Sequence, residues 1–136
     1  MAKSKINLAY AAGFFDGEGC ITFSKIMKYN PMMRKRYPCT TIRMEVTNTD
    51  YAIIKELRNF FDIGRLYKLK PRKKGYKKQL RWQLTHRQAE KVIRRLLPHM
   101  REKNKIKQAK KVIKYYDKRS IKNGEKNRHK IHSRFL

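Results

Sequence analysis

The chain has 136 residues, the size of one compact domain with a single hydrophobic core. Its 37 lysines and arginines against 10 aspartates and glutamates give a formal net charge of +27, and 40% of the residues are hydrophobic. This composition excludes a wholly disordered chain and favours a polyanionic partner, nucleic acid before an anionic membrane. No apolar run approaches the roughly 20 residues of a membrane span, so no membrane association is expected.

The amino-terminal segment MAKSKINLAY has only a short apolar stretch and no small-residue cleavage site after it, which predicts no secretion signal. The two cysteines, Cys20 and Cys39, lack a metal-binding spacing and are expected to be reduced thiols. We therefore expect a cytoplasmic, nucleoid-associated protein, with an organelle of a eukaryote as the alternative location.

Apolar residues at three- and four-residue steps predict a first helix over residues 6–15. Ser4 or Asn7 is expected to cap its start, and Gly17 and Gly19 to end it.

The following elements are predicted in chain order from the same kinds of pattern. They are a strand at 20–28, a connecting loop at 29–38, a strand at 40–48, a helix at 53–61, a strand at 65–70, a basic turn at 71–78, a strand at 79–86, a helix at 89–97 and a last helix at 102–116. Thr49 or Asp50 is expected to cap the second helix, which stops near Gly64.

The predicted order α-β-β-α-β-β-α-α favours an α+β fold with an antiparallel four-stranded sheet and helices on one face. Residues 40–48 show the expected alternation, with Ile42 and Met44 on one face and Arg43 and Glu45 on the other. The open face would be polar and cationic, and a two-stranded ribbon of this kind fits a DNA major groove.

Two acids stand out in the segment YAAGFFDGEGC, residues 10–20. Asp16 and Glu18 lie between glycines near a predicted helix C-terminus, where the helix dipole disfavours anions. A divalent cation would balance this charge, since Mg²⁺ binds through one or two carboxylates and could activate water beside a phosphate. The pattern indicates a metal-dependent nuclease; the alternative is a pair of ordinary helix-end residues.

The segment AAGFFDGEG (11–19) resembles the signature of the LAGLIDADG homing endonucleases. The resemblance covers about residues 6–116, and its further marks are EVTNTD (45–50), FFDIG (60–64) and LLPHMREKNKIKQA (96–109). It implies the αββαββα fold, with a saddle-shaped sheet and a motif helix that packs against a second motif helix. One motif in the chain implies a homodimer that cuts both strands of a long pseudo-palindromic DNA target, leaving short 3′ overhangs.

The resemblance also implies roles for residues of the motif. Glu18 matches the metal-binding acid, the Gly17 carbonyl is expected to help bind the same Mg²⁺ (or Mn²⁺), and Asp16 is a further metal ligand of more structural character. The dimer interface is expected from small residues and the first acid: Ala9, Ala12, Gly13 and Asp16.

Two further catalytic positions follow from the resemblance. Asn48 matches a polar residue that orients water near the metals, with a turn or helix-cap asparagine as the alternative. A lysine near the site falls on Lys103 or Lys105, depending on where the alignment is anchored. Some members carry an arginine at a position that falls here on Ala52, so the sequence departs from the family there.

DNA contacts are expected from two groups of residues. Base reading is assigned to the open strand face: Thr22, Ser24, Lys28, Thr41, Arg43, Glu45, Lys68, Lys70, Arg81, Gln83 and Thr85. Face parity is ambiguous over 65–70. Phosphate contacts are assigned to the two connections: Arg34, Lys35, Arg36, Arg72, Lys73 and Lys74.

The domain is expected to comprise residues 1–118, followed by a basic, mobile tail at 119–136. Two rival functions remain open at this stage. The same scaffold could bind intron RNA as a maturase, or it could bind DNA as a regulator without cleaving it.

Overall fold

A computed structural model describes residues 6–71 and 73–121 with their side chains, and residues 122–134 by their backbone. The elements are α1 (Leu8–Glu18), β1 (Gly19–Asn30), β2 (Lys35–Asn48), α2 (Tyr51–Phe61), β3 (Arg65–Leu69), β4 (Gln79–Thr85), α3 (Arg87–Leu96), a 3₁₀ turn (Leu97–His99) and α4 (Lys103–Arg134). The order predicted from the sequence is confirmed.

The four strands form one antiparallel sheet in the order β1-β2-β4-β3. Ile42, Met44 and Val46 of β2 lie on the covered face with at most 1% exposure, and the register pairs Met44 with Leu84 and Val46 with Trp82 of β4. The helices pack on this face, so the opposite face stays open. Trp82 is a core residue whose indole nitrogen donates to the Ile63 carbonyl at 2.8 Å.

The long β1–β2 hairpin corrects the prediction of a loop at 29–38. The two strands pair as far as Asn30 with Lys35, and only residues 31–34 form the turn. Pro38 lies within β2 because β4 pairs only with residues 43–48 of that strand. The edge of β2 that would face β4 is therefore unpaired at position 38, where a residue without an N–H is tolerated.

Two helix ends also differ from the prediction. Gly17 lies inside α1, which ends at Glu18 with Gly19 as its cap. The backbone of α4 continues to Arg134, well past the predicted end at Tyr116. The mobility of the tail stays a prediction, and its side chains from residue 122 onward lie outside the described part.

A charged cluster joins α3 to α4. Glu90 is 8% exposed and lies between Arg87 and Arg94, each 2.9 Å away, and Arg94 also reaches Asp117 of α4 at 2.6 Å. The hydrogen bond to Asp117 raises the pKa of Arg94, and burial raises the pKa of Tyr116, whose ring lies under Arg87. The cluster fixes α4, which in turn places a lysine at the end of α1.

Candidate active site and nucleic-acid face

The end of α1 is shaped by a tight helix-to-strand junction. Asn7 caps the start of the helix by accepting from the Tyr10 N–H at 2.8 Å, and the Gly19 N–H donates to the Phe15 carbonyl at the other end. A Cβ at Gly19 would overlap the Phe15 ring and lie 2.7 Å from its carbonyl oxygen. Glycine therefore allows the chain to pass directly from α1 into β1, with Glu18 in the last helical turn.

Glu18 is exposed, and its carboxylate has no hydrogen bond or ion pair with any residue whose side chain the structure describes. Most other acids in that part are engaged: Asp50 caps α2, Glu102 caps α4, and Asp62 pairs with Arg58. A free anion at a helix C-terminus is electrostatically disfavoured. Glu18 is therefore available to a cation from outside the chain.

Lys105 is the lysine that reaches the motif helix. Its Nζ donates to the Phe15 carbonyl at 3.1 Å and also to the Asp16 carbonyl. A cation at this position complements the negative end of the α1 dipole. Lys103 is exposed and makes no side-chain contact of this kind with any described residue, so Lys105 is the one of the two lysines that contacts the motif helix.

Asp16 is turned toward its own chain. Its Oδ2 accepts from the Arg101 N–H at 2.8 Å, while its Oδ1 is buried without a hydrogen-bond partner. This contact joins α1 to the segment before α4. Asp16 thus holds the motif helix in place within the subunit, unlike the free Glu18.

Asn48 makes the turn contact that was the alternative interpretation. Its Oδ1 accepts from the Asp50 N–H at 2.8 Å, at the point where β2 leads into α2. Because Gly19 pairs with Val46, the end of β2 lies beside the α1–β1 junction. Asn48 is therefore at the same end of the sheet as Glu18, and its amide nitrogen has no hydrogen bond to any described residue.

The small residues of α1 divide between two faces, which corrects one interface prediction. Ala12 is fully buried in the subunit's own core, so it is not available to a second helix. Ala9, Gly13 and Gly17 are exposed and recur at four-residue steps along the opposite side. A Cβ at Gly13 or Gly17 would meet nothing within 4 Å, so the subunit itself does not require glycine at either position.

No group of three or more His, Cys, Asp or Glu side chains that could hold a metal occurs among the described residues. Among the described residues of this region, Glu18 is the carboxylate with both oxygens free, next to the backbone carbonyl of Gly17, whereas Asp16 keeps only its buried Oδ1 without a partner. Hard cations prefer oxygen ligands of this kind, so the donor type fits Mg²⁺ or Mn²⁺, but one chain supplies a sparse set.

The open sheet face carries most of the predicted base-reading residues. The register places Thr22 opposite Arg43 and Ser24 opposite Thr41, all on the side away from the helices. Lys68 corrects the prediction, because it pairs with Leu80 and so belongs to the helix side of the sheet. The alternation of residues in β3 did not show which of them face the helices, and the strand register does.

The sequence left the face of Arg65 and Tyr67 open, and it missed Tyr37 as a residue of the open face. Arg65 and Tyr67 of β3 lie opposite Gln83 and Arg81, and Tyr37 lies opposite Lys28. The signal for Tyr37 was its alternation with the residues of β2, which the loop assignment concealed.

A shallow groove of about 670 Å³ extends the open face toward the β3–β4 connection. Polar and cationic side chains line much of it, among them Thr47, Lys70, Tyr76, Lys77 and Arg81. Lys70 therefore remains beside the open face, whereas Arg72 lies outside the described residues.

Comparison with known proteins places this geometry in a family. A family model described as LAGLIDADG endonuclease matches residues 11–116. The chain therefore belongs to the LAGLIDADG endonuclease family. No curated protein matches its sequence.

Solved structures share the fold at low sequence identity. The homing endonuclease I-CvuI, crystallised with a target DNA, aligns with a TM-score of 0.61 and 20% identity over 79% of this chain and 63% of its own. The group I intron-encoded homing endonuclease I-CeuI, complexed with DNA, gives 0.58 and 20% over 82% and 55%. I-LtrWI bound to target DNA gives 0.60 and 17% over 90% and 40%. The chain thus spans less than two thirds of the length of these structures.

Within the described residues, no helix combines the length and apolar character needed to cross a membrane.

Proposed function

We propose that the protein is a site-specific homing endonuclease that makes divalent-metal-dependent double-strand cuts in a long, pseudo-palindromic DNA target, acting as a homodimer. The observation that carries this proposal is the free carboxylate of Glu18, located beside a cationic, polar sheet face at the end of a helix with an exposed row of small residues.

Glu18 and the carbonyl of Gly17 would hold Mg²⁺ or Mn²⁺. When bound, such an ion lowers the pKa of a water ligand and stabilises charge on a phosphate. The sparse ligand set of one chain suits Mg²⁺, which usually keeps several waters and takes further oxygens from phosphates.

The surrounding residues keep Glu18 where it is needed. Lys105 neutralises the carbonyl end of α1 and adds positive charge near the site, where a scissile phosphate would lie. Asp16 anchors the same helix to Arg101, and Asn48 offers its free amide nitrogen to water or phosphate at the adjoining end of β2. We assign catalytic contact to Glu18, Lys105 and Asn48, and a positioning role to Asp16.

The homodimer is supported by the two glycines that the subunit does not need. Glycine within a helix costs about 0.5–1 kcal/mol relative to alanine, and neither Gly13 nor Gly17 makes a close contact that would offset the cost. Close approach of a second α1 helix supplies such a reason. It would also bring two Glu18 side chains together at the centre of one continuous DNA-binding surface.

The relatives support the DNA substrate and the type of ion. I-CvuI was crystallised with target DNA in 2 mM Mg, where the DNA was not cleaved, and in 2 mM Ca. I-CeuI and I-LtrWI were also solved with DNA. The open face of this chain, with Arg43, Arg81 and Gln83 at its centre, has the chemistry to read bases in a major groove.

The direct test is cleavage of duplex DNA that spans the uninterrupted insertion site of the host gene, with Mg²⁺ or Ca²⁺. We expect the wild type to cut both strands with Mg²⁺, and Glu18→Gln to bind this DNA without cutting it. Glu56→Gln on α2 is the matched control, because Glu56 is a second acid without a side-chain partner among the described residues and its loss changes the charge equally.

The outcomes separate the rival functions. Specific binding by the wild type without cleavage in any metal would favour a DNA-binding regulator. Binding to intron RNA in place of this duplex would favour a maturase. Equal cleavage by the Glu18→Gln protein would remove Glu18 from the catalytic role.

The dimer is tested separately with Gly13→Leu, since the open space around Gly13 lets the subunit fold. Sedimentation should show a dimer for the wild type and a monomer for the variant, with at least tenfold weaker binding to a two-fold target. A monomeric, cleavage-competent wild type would contradict the shared central site.

A further inference from the structure

The most heavily engaged residue of the open face is an acid. Glu45 of β2 lies between Cys20 of β1 and Gln83 of β4, its direct partners in the register. Although Glu45 is on the face away from the core, its side chain is only 17% exposed. Neighbouring side chains, rather than the helices, cover it.

Both carboxylate oxygens of Glu45 have partners. Arg43 Nε lies 2.9 Å from Oε1, at an angle that makes this contact an ion pair rather than a hydrogen bond. Gln83 Nε2 donates to the same oxygen at 3.1 Å. Arg81 Nε lies 3.6 Å from Oε2 and donates to Thr47 Oγ1 at 3.4 Å.

These contacts leave Glu45 poorly suited to reading a base itself. An acid that recognises cytosine must present a free oxygen to the exocyclic amine in the groove. Glu45 instead has its oxygens turned to Arg43, Arg81 and Gln83. Its carboxylate contacts neighbouring side chains of the sheet and does not point toward a ligand above the sheet.

The two arginines retain the nitrogens that guanine requires. Arg43 and Arg81 both face Glu45 through Nε, and their terminal nitrogens have no hydrogen bond or ion pair among the described residues. A guanidinium held at one edge presents its remaining donors in a fixed direction. Donors of this kind match the O6 and N7 acceptors of guanine.

Gln83 is oriented in a comparable way. Because one N–H of its amide is given to Glu45, the amide oxygen and the second N–H remain for a ligand. This donor–acceptor pair is complementary to N7 and N6 of adenine.

We propose that Glu45 is a positioning residue for sequence recognition, which aims Arg43 and Arg81 at guanines and Gln83 at an adenine between them. The proposal rests on the proposed function and specifies its substrate. Arg43 and Arg81 lie at register positions four residues apart along the strands, since they pair with Thr85 and Thr47. At about 3.3 Å per residue this is about 13 Å, or about 4 base pairs at 3.4 Å each.

The test is a selection from duplex DNA with a randomised half-site, using the full chain with Ca²⁺ so that bound DNA stays intact. The wild type should select guanine at two positions about four base pairs apart, with adenine between them. Glu45→Gln keeps the size of the side chain and removes its charge. We expect it to lose all three preferences together, each by about tenfold.

Two further variants make the result specific to positioning. Arg43→Ala should lose one guanine preference and keep the other two, because it removes a reader rather than its common support. Glu56→Gln makes the same change in net charge on α2 and should select the wild-type sequence. Binding of both Glu variants to unrelated duplex should be equal to or tighter than wild type, since each removes a negative charge.

Each alternative result has a distinct meaning. If Glu45→Gln loses preference at a single cytosine, Glu45 reads that base directly and the proposal is wrong. If Glu45→Gln selects the wild-type sequence, Glu45 does not position its neighbours, although the endonuclease proposal stands. If the wild type selects no sequence at all, both proposals fail. Should Glu45→Gln not fold, unaltered selection by Arg43→Ala would equally overturn the inference.

Discussion

Two carboxylates in this molecule each lie between two arginines, on opposite sides of the sheet. On the helix side, Glu90 holds Arg87 and Arg94, but Arg94 also binds Asp117 and Arg87 stacks 4.4 Å above the Tyr116 ring. The guanidinium groups there are used mainly within the subunit. The cluster acts as a structural connection between α3 and α4.

On the open side, Glu45 holds Arg43 and Arg81 by one edge, and their terminal nitrogens have no partner among the described residues. The chemical groups are the same, but the number of unused donors differs. This comparison shows that an acid among arginines has to be interpreted by what its partners still offer. Arginines that keep unused N–H donors indicate a binding surface, whereas arginines whose donors are engaged within the subunit indicate a contact that stabilises the fold.

The largest effect that would test this comparison is on stability. Glu90→Gln leaves two arginines partly buried without their shared anion, so we expect the free energy of unfolding to fall by about 2–3 kcal/mol. Denaturant titration of the purified protein measures this. A loss below 0.5 kcal/mol, taken as roughly the level of an ordinary surface substitution, would show that Glu90 is not a structural connection.

A smaller effect is expected at the outer member of the helix cluster. Asp117→Asn removes the ion pair with Arg94, and because Asp117 is 57% exposed on its side chain, the loss should be about 0.5–1 kcal/mol. Glu90 keeps Arg94 in place in this variant. A double substitution of Glu90 and Asp117 should therefore show non-additive losses in a double-mutant cycle.

On the open face, Glu45→Gln should change stability by less than about 1 kcal/mol, because Arg43 and Arg81 can turn to solvent. The same denaturant titration measures it beside Glu90→Gln. A loss as large as that of Glu90→Gln would mean that the two clusters do not differ in kind.

The smallest effect concerns pH. Burial raises the pKa of Tyr116 above its ordinary value of 10.0, so the folded protein keeps this proton after the unfolded chain has lost it. The unfolded state then binds fewer protons, and stability must fall as pH rises above about 10. Tyr116→Phe should reduce this fall. In a pH titration followed by phenolate absorbance, the variant should have one fewer tyrosine with a raised pKa than the wild type.

Much of the fold could be predicted from the sequence because its local patterns agree with its long-range contacts. The alternation of Ile42 and Met44 with Arg43 and Glu45 indicated the covered and open faces of β2, and the register confirms it. The hairpin was missed because Pro38 suggests a loop. β2 tolerates Pro38 because β4 is too short to pair with that part of the strand, which only the structure shows.

The site was predictable in its residue types and less so in its geometry. Glu18 lies at the end of the motif helix as the motif implied, but the choice between Lys103 and Lys105 depended on the phase of α4. Lys105 is on the same helical stripe as the buried Ala109 and Val112, at four- and seven-residue steps, and that spacing could have identified it. Ala12 was misassigned because alanine suits both a core and a close helix contact.

The length of the β1–β2 hairpin sets how many base pairs of DNA it could contact, and therefore how often a matching sequence would occur by chance. β1 contains 12 residues, which at about 3.3 Å each span about 40 Å, or about 12 base pairs of duplex at 3.4 Å each. Two such ribbons related by a two-fold axis would cover on the order of 24 base pairs. A sequence of that length is not expected to occur by chance even in a large genome, so such a protein could tolerate several mismatches and still address a single locus.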